Sequence, residues 1–388
     1  EVLCIELAHL PHRHPRQYRK QPFALMNNMS NMDLSNKDLK GNRAFIVGKW
    51  ISTFCNHTLS SLDISNSSIT GAVEDEEGLN ALITAIKGCT MLKRVNILSN
   101  NLGYAKANEL IQFMNENDSL KTLCGFNDQT YTNLDLSQKG LTMGCAMLVA
   151  NELQSHNVET LDLSHNRIAG RYVGEALAKA LTNNTVLTLL NVSSIYKDVK
   201  SETLENVPVE DFDEIPLTQT REGKTAVYRG YEVKIVKERK LRDGEEVDIQ
   251  WDERVSQPES EITFGDELAK ALVLNNMMTS LNISDNNLGY DDSNAIANAL
   301  SENRVLKNLN IANNEAGVEC ARILADGIIS NGNLTSLDIS RNSICVEGTN
   351  AMAKALKDNQ NMKELNTARN FMCYSHTTDR ENNMQGII

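Results

Sequence analysis

Two short stretches of the sequence contain residue types that bind phosphate or metal ions in other proteins. Residues 223–225, Gly-Lys-Thr, match the end of a phosphate-binding loop, but that loop needs another glycine where this chain has Thr218. His9, His12 and His14 lie close together, yet no cysteine or carboxylate accompanies them at the spacing of a zinc site. We therefore predict no phosphate-binding loop, and we interpret the histidines as part of a basic tail.

The other common catalytic and metal-binding patterns are absent from the sequence. The acidic run Glu74–Glu77 lacks the alternating oxygen ligands and the glycine of a calcium loop, so we predict a solvated loop there. No G-x-G-x-x-G, H-E-x-x-H or G-x-S-x-G string occurs. The sequence therefore predicts a protein that is not an enzyme and that binds no cofactor or metal ion.

A recurring polar position offers chemistry of another kind, the recognition of a partner. Ten approximate copies of the string L-x-x-L-x-L-x-x-N-x-L occur, and Asp or Asn always stands between the second and third apolar positions. Carboxylates and amides in one column favour a basic or amide-rich partner through charge-assisted hydrogen bonds. The alternative is that the column serves only solubility and the geometry of the strand ends. The column consists of Asp33, Asp63, Asn96, Asp135, Asp162, Asn191, Asn282, Asn310, Asp338 and Asn366.

The first half of each repeat is predicted to be a β-strand. In the ninth copy, the apolar residues Leu337 and Ile339 alternate with Asp338 and Ser340, which is typical of a strand with one buried face. An asparagine such as Asn342 follows most of these strands, and its amide is expected to bond the turning backbone of neighbouring repeats. The copies begin at Met29, Leu59, Leu92, Tyr131, Val158, Leu187, Met278, Leu306, Leu334 and Met362.

The second half of each repeat is predicted to be a helix, because small and large apolar residues recur four positions apart. In the stretch 174–181, Ala176 pairs with Ala180 and Leu177 pairs with Leu181. Strands stack about 4.8 Å apart, whereas packed helices need about 8–10 Å. The stack must therefore curve, with one parallel sheet on its concave side; we call the sheet face opposite the helices the inner face.

This repeat resembles a known family. A 28-residue L-x-x-L-x-L-x-x-N-x-L unit with a helical second half is similar to the ribonuclease-inhibitor-like leucine-rich repeats, over residues 25–195 and 263–373. The stretch 123–137 also looks like a variant found in protist and algal repeat proteins. The resemblance implies an α/β horseshoe-shaped solenoid and a non-catalytic protein-binding scaffold. Two alternatives within the family are a regulator of a small GTPase, like the activator of Ran, and the sensing part of a NOD-like receptor.

The longest departure from the repeat is an acidic insertion over residues 196–262. Alternating residues on both sides of Asp243-Gly244 predict a β-hairpin, and Arg229-Gly230 indicates a second, tighter turn. The stretch 198–222 has no periodicity, which leaves a disordered loop open there. The aromatic residues of the insertion either pack a small core of their own or form a contact patch for a partner. They are Phe212, Tyr228, Tyr231 and Trp251.

A shorter departure follows the third repeat. Residues 120–123 keep the register of Leu92, but a further strand follows without a helix between them. We predict a small protruding turn over Phe126–Thr130, which is either a tolerated surface insertion or a functional loop.

Charge and cysteine usage restrict the partners and the compartment. The net charge of −13 argues against binding to nucleic acid or to an anionic membrane. No apolar run is long enough to insert into a membrane. The eight cysteines show no C-x-x-C pair, so we predict reduced, mostly buried thiols in a reducing intracellular compartment, most simply the cytoplasm. Residues 1–24 and 374–388 are predicted to be tails outside the repeats.

Overall fold

The structure is a computed structural model, and it describes most of the repeats. The described residues are 2–5, 23–40, 42–69, 75–126, 132–168, 170–195, 202–208, 212–214, 225–228, 231–241, 244–251 and 263–370. At 2–5, 23–24, 75–76, 358 and within 202–251, the description covers the backbone only.

The chain alternates short strands with helices, and a group of longer strands lies in the middle. The strands of the first half are β1 (Val2–Ile5), β2 (Phe23–Met26), β3 (Asn31–Asp33), β4 (Ser61–Asp63), β5 (Arg94–Asn96), β6 (Asn133–Asp135), β7 (Thr160–Asp162) and β8 (Leu189–Asn191). The strands of the second half are β9 (Glu202–Pro208), β10 (Phe212–Glu214), β11 (Thr225–Tyr228), β12 (Tyr231–Leu241), β13 (Gly244–Trp251), β14 (Ser280–Asn282), β15 (Asn308–Asn310), β16 (Ser336–Asp338) and β17 (Glu364–Asn366). The helices are α1 (Asn42–Trp50, continued by a π-helical turn at Ile51–Cys55), α2 (Asp75–Gly88), α3 (Tyr104–Glu116), α4 (Met143–Glu152), α5 (Arg171–Asn183), α6 (Phe264–Leu274), α7 (Tyr290–Glu302), α8 (Gly317–Ser330) and α9 (Cys345–Asp358).

Each of the ten repeats begins with one three-residue parallel strand, which confirms the strand prediction. In the repeat strands β3–β8 and β14–β16, the middle residue is buried, and its two neighbours are at least partly exposed. This alternation follows from the period of two in a strand, because the apolar residues must face the helices. Neighbouring strands pair without a shift; Leu281 lies beside Leu309, and Asn282 beside Asn310.

Internal contacts divide the chain into two compact units. One consists of Glu1–Gln129 with Gly140–Glu152 and contains the parallel sheet β3-β4-β5. The other consists of Thr130–Lys139 with Leu153–Ile388 and contains the seven-stranded sheet β17-β16-β15-β14-β8-β7-β6. The sequence predicted a parallel sheet, and the described strands of the repeats form two parallel sheets, one in each unit.

The sheet of the first unit ends where the repeat spacing is disturbed. The Val95 N–H donates to the Thr122 carbonyl at 2.9 Å, and the Ile97 N–H donates to the Leu123 carbonyl at 3.0 Å. Residues 121–125 thus lie beside β5 in the place of a fourth strand. The predicted protruding turn is wrong for Phe126, which is only 5% exposed; residues 127–130 lie outside the described part of the chain.

A buried carboxylate accepts hydrogen bonds from the groups of this segment that do not bond to β5. Glu152, at the end of α4, is 1% exposed. It accepts hydrogen bonds from the Leu123 N–H at 2.5 Å, the Cys124 N–H at 3.0 Å and the Thr122 hydroxyl at 2.7 Å. Backbone N–H groups buried without an acceptor are costly, so the carboxylate takes the role that a neighbouring strand has elsewhere.

The predicted asparagine ladder is present in the described turns. The Asn314 amide is fully buried and donates to the Ile283 carbonyl at 2.8 Å, while its oxygen accepts from the Asn286 N–H at 2.9 Å. Repeat two has Ser67 in place of this asparagine, and its turn is bonded by a hydroxyl instead of an amide. Ser67 is buried, and its hydroxyl donates to the Leu34 carbonyl at 2.7 Å.

A second asparagine position joins the ends of successive helices. The Asn303 amide donates to the Leu272 carbonyl of the preceding helix at 2.7 Å and accepts from the Leu306 N–H at 2.7 Å. At the end of α5 this role belongs to Asn184.

Two segments predicted to be irregular contain regular structure. Helix α2 begins at Asp75, inside the acidic run that was predicted to be a loop; carboxylates are favourable in the first turn of a helix because of its dipole. The predicted N-terminal tail contains β1, which pairs antiparallel with β2.

The insertion is an antiparallel sheet of five strands, in the order β10-β11-β12-β13-β9. Both predicted hairpins are confirmed by the strand pairing, but Gly244 belongs to β13 and not to the first turn. Leu241 lies opposite Gly244, and Tyr228 lies opposite Tyr231. Strands β9 and β10 occupy the part of the insertion that lacks periodicity, so a disordered loop is the wrong description of 202–208 and 212–214.

The repeats continue across the insertion as if it were absent. Strand β8 pairs directly with β14, and Leu190 lies beside Leu281. The Asn286 amide donates to the Val192 carbonyl at 2.8 Å, and the Ile195 N–H donates to the Asn286 side-chain oxygen at 2.8 Å. The insertion thus leaves the stack after Ile195 and returns before α6 without breaking the ladder.

Candidate partner-binding surfaces

The polar column of the inner face has a structural role in every repeat. Each of its ten members accepts a hydrogen bond through Oδ1 from the backbone N–H two residues later, which ends the strand in a tight turn. The Asp338 oxygen, for example, accepts from the Ser340 N–H at 2.9 Å and from the Ser340 hydroxyl at 2.7 Å. The same contact is made by Asp33, Asp63, Asn96, Asp135, Asp162, Asn191, Asn282, Asn310 and Asn366.

The second oxygen of several carboxylates is also engaged. Asn191 donates to Asp162 Oδ2 at 2.8 Å, and Asn366 donates to Asp338 Oδ2 at 2.8 Å. Asn96 makes the same contact to Asp63 at 3.2 Å. Adjacent Asn and Asp members therefore pair along the sheet, and these carboxylates offer less to a partner than the sequence pattern implied.

Two carboxylates of the column carry no amide neighbour of this kind. Hydrogen bonds from the Ser35 side chain and backbone lower the pKa of Asp33, and Ser137 lowers the pKa of Asp135 in the same way. Both aspartates are exposed. They stay ionised below the usual carboxyl range, so each offers a negative charge to a basic group.

The aromatic residues of the insertion occupy defined register positions. Phe212 lies opposite Tyr228, and Tyr228 lies opposite Tyr231, so the three positions form one row across β10, β11 and β12. Trp251 lies opposite Glu202 at the far edge. The side chains of the insertion lie outside the described part of the structure, so their role as a contact patch stays a prediction.

The junction where the insertion returns to the repeats is tightly bonded. Thr263 and Asp266 form a capping box at the start of α6. The Asp292 carboxylate at the start of α7 accepts from the Thr263 hydroxyl, and from the Gly265 N–H at 3.2 Å. Burial raises the pKa of Asp292, and the nearby charges of Asp266 and Asp291 add to this effect.

We expect the Asp292→Asn variant to be more stable than the parent chain at neutral pH. The amide keeps an acceptor for Thr263 and Gly265 but carries no buried charge. Because the pKa of Asp292 is raised in the folded state, its contribution to stability falls as the pH rises from the ordinary value of 3.8 through the folded value. The advantage of the variant should therefore vanish below about pH 4.

Urea unfolding at pH 7 and at acidic pH checks this expectation. Asp291→Asn is the matched control, because it removes an exposed charge from the same helix turn. An Asp292→Asn variant that is less stable at pH 7 would show that the charge itself holds the junction.

The described cysteines are free thiols, and most are buried. Cys55, Cys89, Cys124, Cys145 and Cys320 are buried, and Cys345 is half-buried. Burial raises the pKa of Cys89 to about 11 and that of Cys320 to about 12, so both are unreactive at neutral pH. Within the described ranges, no three His, Cys, Asp or Glu residues are grouped as metal ligands. In the same ranges no helix combines the length and apolarity needed to cross a membrane.

The family resemblance can now be judged on the geometry. In both units, three-residue parallel strands pair in register, helices of successive repeats pack against each other, and buried asparagines bond successive turns. Each unit is a leucine-rich-repeat solenoid. No protein-family model matches the chain, and no curated protein matches it.

Two solved structures show a limited similarity to this chain. The leucine-rich-repeat-containing protein LegL7 from Legionella pneumophila is similar at 16% identity with a TM-score of 0.29, over 82% of this chain and 85% of that one. The actin-binding site 2 of leiomodin-1 is similar at 20% identity with a TM-score of 0.26, over 26% of this chain. The match spans 61% of the leiomodin-1 chain. Neither likeness bears on the function of this protein.

Proposed function

We propose that the protein is a non-catalytic scaffold that binds another protein through the inner face of its repeats, through the 196–262 insertion, or through both. One observation carries the proposal. The ladder from β8 to β14 closes without the insertion, so the five-stranded sheet is not needed to complete the stack. An element of this size that the fold does not require is best explained by an interaction.

The inner face supports the same function. A row of strands presents side chains at a fixed spacing of about 4.8 Å, which suits the recognition of a long surface on a partner. Asp33 and Asp135 keep an exposed carboxylate, so a partner with a basic surface is favoured at these two positions.

The finer assignments follow from the repeat and the thiols. The 28-residue spacing with a full helix in each repeat supports the ribonuclease-inhibitor-like class of repeat. We also propose that the repeats are of the protist type, because the fourth copy resembles that variant. The buried free thiols support a reducing compartment inside the cell. The net charge of −13 supports a protein partner over a nucleic acid.

Deleting residues 198–260 tests the proposal. This deletion restores the 28-residue spacing between Leu187 and Met278 that also separates Met278 from Leu306. We expect a folded variant that loses, or binds at least about tenfold more weakly, a protein that co-purifies with the full chain from native material. A second variant keeps the length of the chain and removes only the aromatic side chains of the insertion. It replaces Phe212, Tyr228, Tyr231 and Trp251 by serine.

The outcomes separate the two surfaces. Loss of the partner in both variants assigns it to the aromatic row and its strands. Retention in both assigns it to the inner face, which substitutions in the polar column then test. If neither the insertion variants nor inner-face variants weaken any partner, the scaffold proposal is wrong.

A further inference from the structure

The inner face of the second unit contains three neighbouring strands without any charged side chain. The first and third residues of β8, β14 and β15 are uncharged, although the protein carries a net charge of −13. Carboxylates return on both sides, at Asp162 on β7 and Asp338 on β16. Along the strands, charges begin only beyond their ends, at Lys307 and Asp285. We call the six residues the uncharged belt: Leu189, Asn191, Ser280, Asn282, Asn308 and Asn310.

Two amides in the belt are oriented and have no acceptor among the described residues. The Asn282 oxygen accepts from the Ser284 N–H at 3.1 Å, and the Asn310 oxygen accepts from the Ala312 N–H at 3.0 Å. These bonds fix the rotation of each amide. Among the described residues, neither Nδ2 group donates a hydrogen bond, whereas Asn191 and Asn366 donate to aspartates. Donors held in place before binding cost little entropy when a partner supplies the acceptor.

An exposed apolar side chain lies beside these donors. Leu189 on β8 is 36% exposed, although the equivalent positions on the flanking strands are Thr160 and Ser280. Other exposed large apolar side chains in the described part of this unit lie on helices, as with Leu274 and Ile329. A single apolar contact with polar neighbours is the pattern of an interface anchor.

The geometry points to the uncharged belt as a docking site for an uncharged polypeptide segment of a partner protein; this inference rests on the proposed scaffold function. The segment places an apolar side chain on Leu189 and carbonyl oxygens on the amides of Asn282 and Asn310. Lysine and arginine side chains have no acceptor for these amides, so they form no hydrogen bond with them. An acidic segment would be repelled by the flanking carboxylates of Asp162 and Asp338.

The chain itself supplies the variants that test the belt. The double variant Asn282→Asp with Asn310→Asp places a residue already found at this position in other repeats, so the turn acceptor and the fold are kept. Leu189→Thr copies Thr160 of the preceding strand. Asn366→Asp makes the same chemical change outside the belt and is the control. Purified full-length chain and each variant are used to select binders from a displayed library of random linear peptides.

We expect enriched peptides with an uncharged, apolar centre. Their affinity should fall about tenfold or more with the double variant and with Leu189→Thr, and should change less than about twofold with Asn366→Asp. Circular dichroism confirms that each variant is folded, so that a loss of binding reports on the belt.

Three results would contradict the proposal that the belt is a docking site but would not contradict the scaffold proposal. They are basic peptides that depend on Asp135, Asp162 and Asp338, peptides that respond only to the 198–260 deletion, and peptides unaffected by the belt variants. The absence of any enriched peptide would also contradict the docking proposal. The co-purification experiment then tests the scaffold proposal separately.

Discussion

The Glu152→Leu variant should be among the least stable single variants of this chain, by about 3–5 kcal/mol in the free energy of unfolding. Leucine fits the local pattern, because Leu181 stands at the equivalent place in α5. The loss arises elsewhere, because the Leu123 N–H and the Thr122 hydroxyl lose their buried acceptor, and the Cys124 N–H keeps only its bond to the Thr122 hydroxyl oxygen. Each such group costs about 1–3 kcal/mol when left unsatisfied. Urea denaturation followed by far-UV circular dichroism measures the effect.

Two companion variants define the origin of that loss. Glu152→Gln keeps one side-chain oxygen for the backbone N–H groups, so its loss should be smaller, about 1–2 kcal/mol. Glu116→Leu, at the exposed end of α3, should change stability by less than about 0.5 kcal/mol. A Glu152→Leu protein as stable as the parent would mean that this side chain only fills apolar space.

Replacing one member of the asparagine ladder should have an effect of similar size. Asn314→Ala removes the donor to the Ile283 and Ile311 carbonyls and the acceptor for the Asn286 and Leu288 N–H groups. The two buried N–H groups then lack an acceptor, whereas each carbonyl loses one of two donors and keeps the amide of Asn286 or Asn342. We expect a loss of about 3–4 kcal/mol in the free energy of unfolding, measured by the same denaturation.

Two further substitutions separate hydrogen bonding from other causes. Asn308→Ala, at an exposed position of the same repeat, should change stability by less than about 0.5 kcal/mol. Asn314→Asp keeps the acceptor but loses the donor and buries a charge, so it should be at least as unstable as the alanine variant. Equal stability of Asn314→Ala and Asn308→Ala would contradict the ladder.

The strands and the asparagine ladder could be predicted from the sequence because both are local and periodic. Leu337 and Ile339 alternate with polar residues, and Asn342 follows at a fixed distance. The sequence of one repeat is therefore enough to predict which of its residues are buried. The hairpin near Asp243-Gly244 could be predicted for a similar reason, since a two-residue turn requires particular residue types at adjacent positions.

The bonding of residues 122–124 by Glu152 could not be predicted, because it is not local. Glu152 lies about one repeat after the backbone that it bonds, at 122–124, and in the sequence it reads as an ordinary helix residue. One signal was available: a carboxylate stands where the next helix has Leu181. The pairing of β9 with β13 is similarly distant, and its register shifts between Val247 and Ile249, which removes the pattern.

The candidate site was predicted only in part. The Asp and Asn column does lie on the inner face, but the sequence does not reveal that every member bonds the turn that follows it. Nor does it reveal which amides keep a free donor. That depends on whether the neighbouring strand supplies Asp162 or another asparagine, and therefore on the register of β8 and β14.

Hydrogen–deuterium exchange of the full chain and of the 198–260 deletion variant gives the most direct test of a repeat stack that closes on its own across the inserted sheet. Segments 189–195 and 278–288 carry the ladder on the two sides of the insertion. Equal protection of their amides in both proteins is the result that the continuous ladder predicts. Rapid exchange in these segments of the deletion variant, with protection retained in β15 and β16, would show that the insertion holds the two halves of the stack together.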